Sequence, residues 1–167
     1  DRMSPTPGVV AQRMCALSQL TERRTASAPL LVVTTAAAAM QRVPPRAMIE
    51  EGRLSLKPGQ SLDPADLEAY FLRHGYVRVS SVSERGEFAV RGGLLDVFSP
   101  THDEPMRLDF FGDTLESIRS FDPETQRSLT QVKSLDFTVV SEIRLDEAGI
   151  SRFRQGYLSR FGASGDD

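Results

Sequence analysis

The sequence has 167 residues, a net charge of −3 and 40% hydrophobic residues, which is typical of a soluble globular domain. No apolar stretch is long enough to cross a membrane or resembles a secretion signal, so we expect a cytoplasmic protein. The acidic balance disfavours a dedicated nucleic-acid module, and the single cysteine, Cys15, excludes an intrachain disulfide. Because the chain begins with Asp1, we expect it to be part of a longer protein.

The first fifty residues have the pattern of an incomplete α/β unit. Three apolar residues have helical spacing: Val10, Met14 and Leu17. They follow the turn cluster Ser4–Gly8 and predict a helix that ends near Leu20, with a loop over Glu22–Pro29. The apolar run Leu30–Val33 predicts a short buried strand, and Ala36–Gln41 predicts a brief helix before two prolines.

A helix with well-marked ends is predicted from Asp63 to His74. Asp63 is a suitable N-terminal cap, Pro64 fits the first helical position and Gly75 ends the helix. Three residues form its buried stripe: Leu67, Tyr70 and Phe71. This helix therefore has a structural role.

Short strands follow, in which every second residue is apolar. The alternating residues are Val77 and Val79, Phe88 and Val90, Leu95 and Val97, and Met106, Leu108 and Phe110. Glycine-rich and polar turns separate them, which favours an antiparallel meander with the Asp63–His74 helix on one face. The predicted class is α+β.

A last amphipathic segment follows Val140. Its apolar residues are spaced three and four apart: Ile150, Phe153, Tyr157 and Phe161. This spacing predicts a helix whose partner surface lies outside the chain, and Gly162–Asp167 reads as a frayed tail.

The sequence lacks the short motifs of nucleotide, metal and hydrolase sites. It contains no GxxxxGK[ST] or GxGxxG loop and no GxSxG turn. His74 and His102 have no metal-ligand spacing, and His74 suits the C-terminal end of a helix dipole. We therefore expect no catalytic residue, cofactor or metal in this chain.

Strand alternation leaves one face of the sheet with an unusual composition. Arg107, Asp109 and Phe111 lie opposite the apolar face of their strand, and Arg91 points away from Val90. Antiparallel pairing would bring Arg91 near Arg107, and arginine with an aromatic residue is typical of a binding hot spot. The alternative is that Phe111 packs under a loop or the last helix while both arginines form ordinary surface ion pairs.

Several runs of residues resemble the module shared by UvrB and the bacterial transcription-repair coupling factor family, Mfd. The runs are Gly75–Val79, Gly86–Phe98, Arg107–Asp113, Glu116–Arg119 and Phe121–Asp122. Because Met40–Pro45 and the Ser4–Leu20 segment also resemble the coupling factors, that family is the better match. The resemblance implies the end of domain 1A over residues 1–52, domain 2 over 53–139 and the start of domain 1B over 140–167, the flanks being pieces of an α/β motor-like domain.

The family's domain 2 docks onto UvrA and recruits excision repair to stalled RNA polymerase. By resemblance, the UvrA-contacting positions are Arg91, Arg107 and Phe111, supported by Gly92, Gly93 and Asp109. The arginines would donate to acidic or carbonyl groups of UvrA, Phe111 would anchor the contact, and the glycines would permit a tight backbone. In the full-length family protein a C-terminal domain covers this face until the repair complex forms.

The resemblance also implies what this chain lacks. The family's ATP-dependent translocase motor and its contacts with RNA polymerase and DNA belong to domains absent here. A rival interpretation is a DNA-contacting module of a UvrB-like repair protein, which a steep salt dependence of DNA affinity would reveal.

Overall fold

A six-stranded sheet organises the chain in the computed structural model, which describes residues 6–22, 29, 31–143 and 147–162. The helices are α1 (Pro7–Glu22), α2 (Ala36–Ala39), α3 (Arg46–Glu51), α4 (Pro64–Arg73) and α5 (Glu147–Phe161). The strands are β1 (Leu54–Leu56), β2 (Val77–Arg78), β3 (Glu87–Arg91), β4 (Leu94–Val97), β5 (Met106–Phe111), β6 (Thr114–Phe121), β7 (Ser128–Gln131) and β8 (Leu135–Phe137). In the described part of the chain, no helix combines the length and apolar composition needed to cross a membrane.

The strand order in the larger sheet is β2–β3–β4–β5–β6–β7, and neighbouring strands from β3 to β7 are antiparallel. This arrangement confirms the predicted α+β class and its meander. β1 and β8 form a separate antiparallel pair. We call the face that packs against α4 the inner face and the opposite face the outer face. The main core lies on the inner face, where the rings of Phe71 on α4 and Phe88 on β3 have centroids 5.3 Å apart.

Helix α4 begins and ends where the sequence predicts. The side chain of Asp63 caps it by accepting a hydrogen bond from the Ala65 N–H at 2.8 Å, and Pro64 occupies the first turn. At the other end His74 is the C-terminal cap. Leu67 and Phe71 are buried, so α4 covers the inner face as expected of a structural helix.

Strand β2 departs from the predicted meander because it runs parallel to β3. The connection between them, residues 79–86, crosses to the outer face instead of forming a hairpin. There Val82 is fully buried in a second apolar cluster with Ala89 and Phe121. This buried connection returns the chain to the start of β3, so β3 runs in the same direction as β2. Val77, one of the alternating apolar residues, is exposed on this short edge strand.

The N-terminal flank packs onto the sheet module through α1, whose position agrees with the predicted helix. Ala11 belongs to the main core, and Met14 joins Ile49 of α3 and Val139 in a third cluster. The predicted strand Leu30–Val33 is wrong for the described residues 31–33, which have no regular structure and are exposed. No described strand lies beside this run, and a buried strand needs neighbours that satisfy its backbone hydrogen bonds.

The predicted helices near both ends are present. Residues 36–39 form α2, and α5 displays an exposed apolar stripe that includes Ile150, Phe153 and Tyr157. Four parts of the predictions lie outside the described residues: the side chain of Phe161, the tail from residue 163, residues 4 and 5 of the turn cluster, and residues 23–28 of the predicted loop.

Candidate interaction surface

Strands β4 and β5 place an acid and an arginine opposite each other on the outer face. Asp96 and Arg107 are register partners, and both point away from the apolar residues on either side of them. Arg107 donates to the Asp96 carboxylate through Nε at 2.7 Å and through Nη2 at 2.9 Å. The Asp96 side chain is only 1% exposed, so this bidentate pair is a buried ion pair.

Arg91 at the end of β3 binds the same carboxylate. Its Nη2 donates to Asp96 at 2.6 Å and to the side-chain oxygen Oε1 of Gln126 at 3.1 Å. The expectation that strand pairing brings Arg91 near Arg107 is therefore confirmed, with Asp96 as the group that joins them. The sequence interpretation missed this aspartate. A lone acid inside the apolar strand Leu94–Val97, on the same face as the arginines, was the available signal.

Arg107 is more enclosed than a surface docking residue usually is. Its side chain is 16% exposed, and its guanidinium lies 4.7 Å from the ring centroid of Phe121 in a cation–π contact. Hydrogen bonding to Asp96 raises the pKa of Arg107 above its ordinary value, although burial opposes this shift. Arg91 is more accessible, since 46% of its side chain is exposed. Arg91 therefore has more side-chain surface accessible to a partner than Arg107 has.

A turn at residues 122–127 adds a further contact to the cluster formed by Arg91, Asp96 and Arg107. The carbonyl of Gln126 accepts a hydrogen bond from Nη1 of Arg107 at 3.1 Å. Gln126 has a φ of 60°, a left-handed conformation that is uncommon for a residue other than glycine. The carboxylate of Asp122 shapes this turn by accepting from the backbone N–H groups of Glu124 and Thr125, both at 2.8 Å. Hydrogen bonding, chiefly from the Thr125 backbone, lowers the pKa of Asp122.

Phe111 lies on the outer face at the far end of β5 and is 77% exposed. It therefore does not pack under a described loop or under α5, which was the alternative interpretation. Arg107 and Phe111 are four residues apart, which corresponds to roughly 14 Å along a strand. The outer face consequently presents a cationic cluster and a separate aromatic side chain. Asp109 lies between them on the same face and is half-buried.

Gly92 and Gly93 form the turn between β3 and β4, next to Arg91. Gly92 has a φ of 60°, which a glycine adopts without strain. A Cβ atom added to Gly93 would lie 2.7 Å from the carbonyl oxygen of Phe110, and the N–H of Phe110 donates to the Gly93 carbonyl at 2.8 Å. These glycines hold the end of β5, and with it the neighbouring Phe111, close to the turn that follows Arg91.

The histidines have local structural contacts. Nδ1 of His74 is 2.8 Å from the Tyr70 carbonyl oxygen, and Nδ1 of His102 is 2.8 Å from Oγ1 of Thr101. Within residues 6–22, 29, 31–143 and 147–162, no group of three His, Cys, Asp or Glu side chains is arranged to hold a metal ion.

Comparison with known proteins places this chain in a family. Residues 54–142 match the family model described as the UvrB interaction domain. The chain is similar to the transcription-repair-coupling factors of Myxococcus xanthus (39% identical over 147 residues), Haemophilus influenzae (36% over 162) and Escherichia coli (34% over 161). These matches cover 88%, 97% and 96% of this chain but only 12%, 14% and 14% of the relatives. They confirm the expected resemblance, and because the family model covers more than half of the sequence, the chain belongs to the UvrB interaction domain family.

Proposed function

We propose that this chain is the UvrA-docking part of a transcription-repair-coupling factor and has no catalytic activity of its own. The observation that carries the proposal is the outer face, where Arg91 and Arg107 converge on buried Asp96 while Phe111 remains exposed. Arginine and aromatic side chains are the residues that most often dominate binding energy at protein interfaces. Membership of the UvrB interaction domain family supports the same assignment.

The chemistry of the surface specifies what a partner must offer. Two guanidinium groups share one carboxylate, so the cluster retains a positive charge that suits carboxylates or backbone carbonyls. Phe111 requires an apolar pocket roughly 14 Å along β5 from Arg107. Complete burial of such a ring contributes on the order of 2 kcal/mol. A partner with both features would bind across β3, β4 and β5.

This docking would recruit nucleotide excision repair to stalled RNA polymerase in the cytoplasm. Under the proposal, contacts with RNA polymerase and DNA, together with ATP-dependent translocation, belong to other parts of a longer protein. The chain itself would need no cofactor, because its role is to present a surface.

A binding titration against purified UvrA tests the proposal. We compare the unaltered chain with an Arg91→Ala, Phe111→Ala double variant, which leaves the enclosed Arg107 in place. The matched control is Arg73→Ala, because Arg73 lies on α4, on the opposite side of the sheet. We expect the double variant to lose at least about thirtyfold in affinity, or about 2 kcal/mol, and the control to bind normally. Absence of binding by the folded, unaltered chain would contradict the proposal.

A DNA-contacting role is the second candidate. Arg119 on β6 is the exposed register partner of Arg107, so the arginines of the outer face extend from β3 to β6. Phosphate contacts would make the affinity fall steeply with salt concentration. Tight, strongly salt-dependent DNA binding that Arg119→Ala weakens would favour this candidate over UvrA docking.

A further inference from the structure

Arg91 and Arg107 are held in place before any partner arrives. Asp96 accepts three hydrogen bonds from them, two from Arg107 and one from Arg91. Because the carboxylate is almost completely buried, a partner cannot reach it directly. Its effect on binding must therefore act through the orientation of the guanidinium groups.

Gln126 also accepts hydrogen bonds from both arginines. Its carbonyl accepts from Arg107 and its side-chain Oε1 accepts from Arg91, both at 3.1 Å. The side-chain nitrogen of Gln126 is also engaged, since it donates to the Pro123 carbonyl at 2.8 Å. The left-handed backbone of Gln126 lets its carbonyl and its side chain face the arginines together. Backbone conformations of this kind persist where surrounding contacts hold them.

Some N–H groups of Arg91 and Arg107 remain available to a partner. Among the described residues, Arg91 donates only through Nη2, to Asp96 and Gln126, so its Nε and Nη1 hydrogens remain available on a half-exposed side chain. Arg107 donates one hydrogen each from Nε, Nη1 and Nη2, so two of its five N–H groups have no acceptor within the described part of the chain. Fixing both side chains in advance reduces the conformational entropy that they would otherwise lose on binding.

We propose that Asp96 and Gln126 are positioning residues of the docking surface, which fix Arg91 and Arg107 so that the free N–H groups of Arg91 meet an acceptor on UvrA. This inference rests on the proposed function. It assigns a binding effect to two residues that need not touch the partner. It also predicts that their effect depends on the presence of the arginine that they orient.

A double-mutant cycle with purified UvrA tests this dependence. Asp96→Asn keeps the shape of the side chain and removes its charge. We expect it to weaken binding about tenfold in the unaltered chain but only about threefold in an Arg91→Ala background, because Arg107 remains to be positioned there. Each variant is checked by its unfolding midpoint and titrated where it is fully folded.

Gln126→Gly provides a second variant whose backbone suits the left-handed conformation. It removes the side-chain contact with Arg91 and retains the carbonyl that binds Arg107. We expect about a threefold loss of affinity that disappears in the Arg91→Ala background. In the absence of UvrA, ¹⁵N relaxation of the Arg91 Nε–H should report greater mobility in both variants.

The outcomes separate this inference from the function on which it rests. If the unaltered chain binds UvrA but Asp96→Asn and Gln126→Gly cause the same losses with and without Arg91, the positioning role is overturned and docking stands. Unchanged mobility of Arg91 in both variants would overturn it as well. If the unaltered chain fails to bind UvrA, the proposed function is overturned and this inference with it.

Discussion

The carboxylate of Asp96 on β4 binds the guanidinium of Arg107 on β5 through two hydrogen bonds, Nε at 2.7 Å and Nη2 at 2.9 Å, from paired register positions. Such a buried pair adds little net stability compared with apolar residues, because both charges lose their hydration. Removal of one partner is nevertheless strongly destabilising, because the remaining charge is left buried without compensation. The pair therefore favours the one arrangement of β4 and β5 in which Asp96 and Arg107 lie opposite each other.

Asp96→Ala should destabilise the fold by about 3 kcal/mol, because it leaves the enclosed Arg107 without its counter-ion. Urea denaturation followed by circular dichroism measures this difference. The matched control is Asp103→Ala, which removes a fully exposed carboxylate that pairs with Arg85 at 3.3 Å and should leave stability unchanged. Equal unfolding midpoints for Asp96→Ala and the unaltered chain would contradict the buried pair.

Phe71→Ala should destabilise the fold strongly, whereas Phe111→Ala should leave its stability almost unchanged. Phe71 is completely buried, and its ring lies within 5.3 Å of the rings of Tyr76, Phe88 and Phe137, so its loss should destabilise the fold by about 4 kcal/mol. Phe111 is exposed, so its loss should change stability by less than about 0.5 kcal/mol. Chemical denaturation of both variants checks this. A large destabilisation by Phe111→Ala would show that its ring is packed in solution.

Gln126→Gly should be more stable than Gln126→Ala by about 1 kcal/mol. Both variants lose the side-chain contacts, but only glycine adopts a φ of 60° without steric strain. Thermal unfolding of the two variants side by side gives the comparison. Equal stabilities would indicate that residue 126 does not keep the left-handed conformation.

His102 should make stability fall in mild acid. Burial lowers the pKa of His102 below its ordinary value of 6.5, although Asp136 and Asp103 oppose this shift. The unfolded chain therefore takes up this proton more readily than the folded chain. The contribution of His102 is fully present above about pH 6.5 and is lost as the pH falls through the folded-state pKa.

The test compares the free energy of unfolding at about pH 7 and pH 5.5 for the unaltered chain and for His102→Gln. The variant should lose less stability over this interval, because its side chain does not titrate. Identical pH dependence in the two proteins would show that His102 keeps its ordinary pKa in the fold.

Local sequence signals predicted the structure where it depends on helix capping or on the burial of one face of a strand. Asp63 and Pro64 predicted the start of α4 because a helix leaves its first N–H groups without partners in any protein. Alternation assigned Leu108 to the core and Arg107 and Phe111 to the outer face, because side chains along a strand point to opposite sides. The same patterns failed at Leu31–Val33, where an apolar run has no described neighbour with which to form a strand.

By itself, the sequence determined the α+β class, the ends of α4, the face on which Arg91, Arg107 and Phe111 lie, and the resemblance to the UvrB interaction domain. Only the tertiary structure decided that Arg91 and Arg107 share Asp96, that Gln126 closes the cluster, and that Arg107 is enclosed while Phe111 is exposed. The physical reason is how far apart in the sequence the interacting residues lie. Periodicity records burial within one element, whereas these contacts depend on strand register and on a turn more than fifteen residues away in the chain.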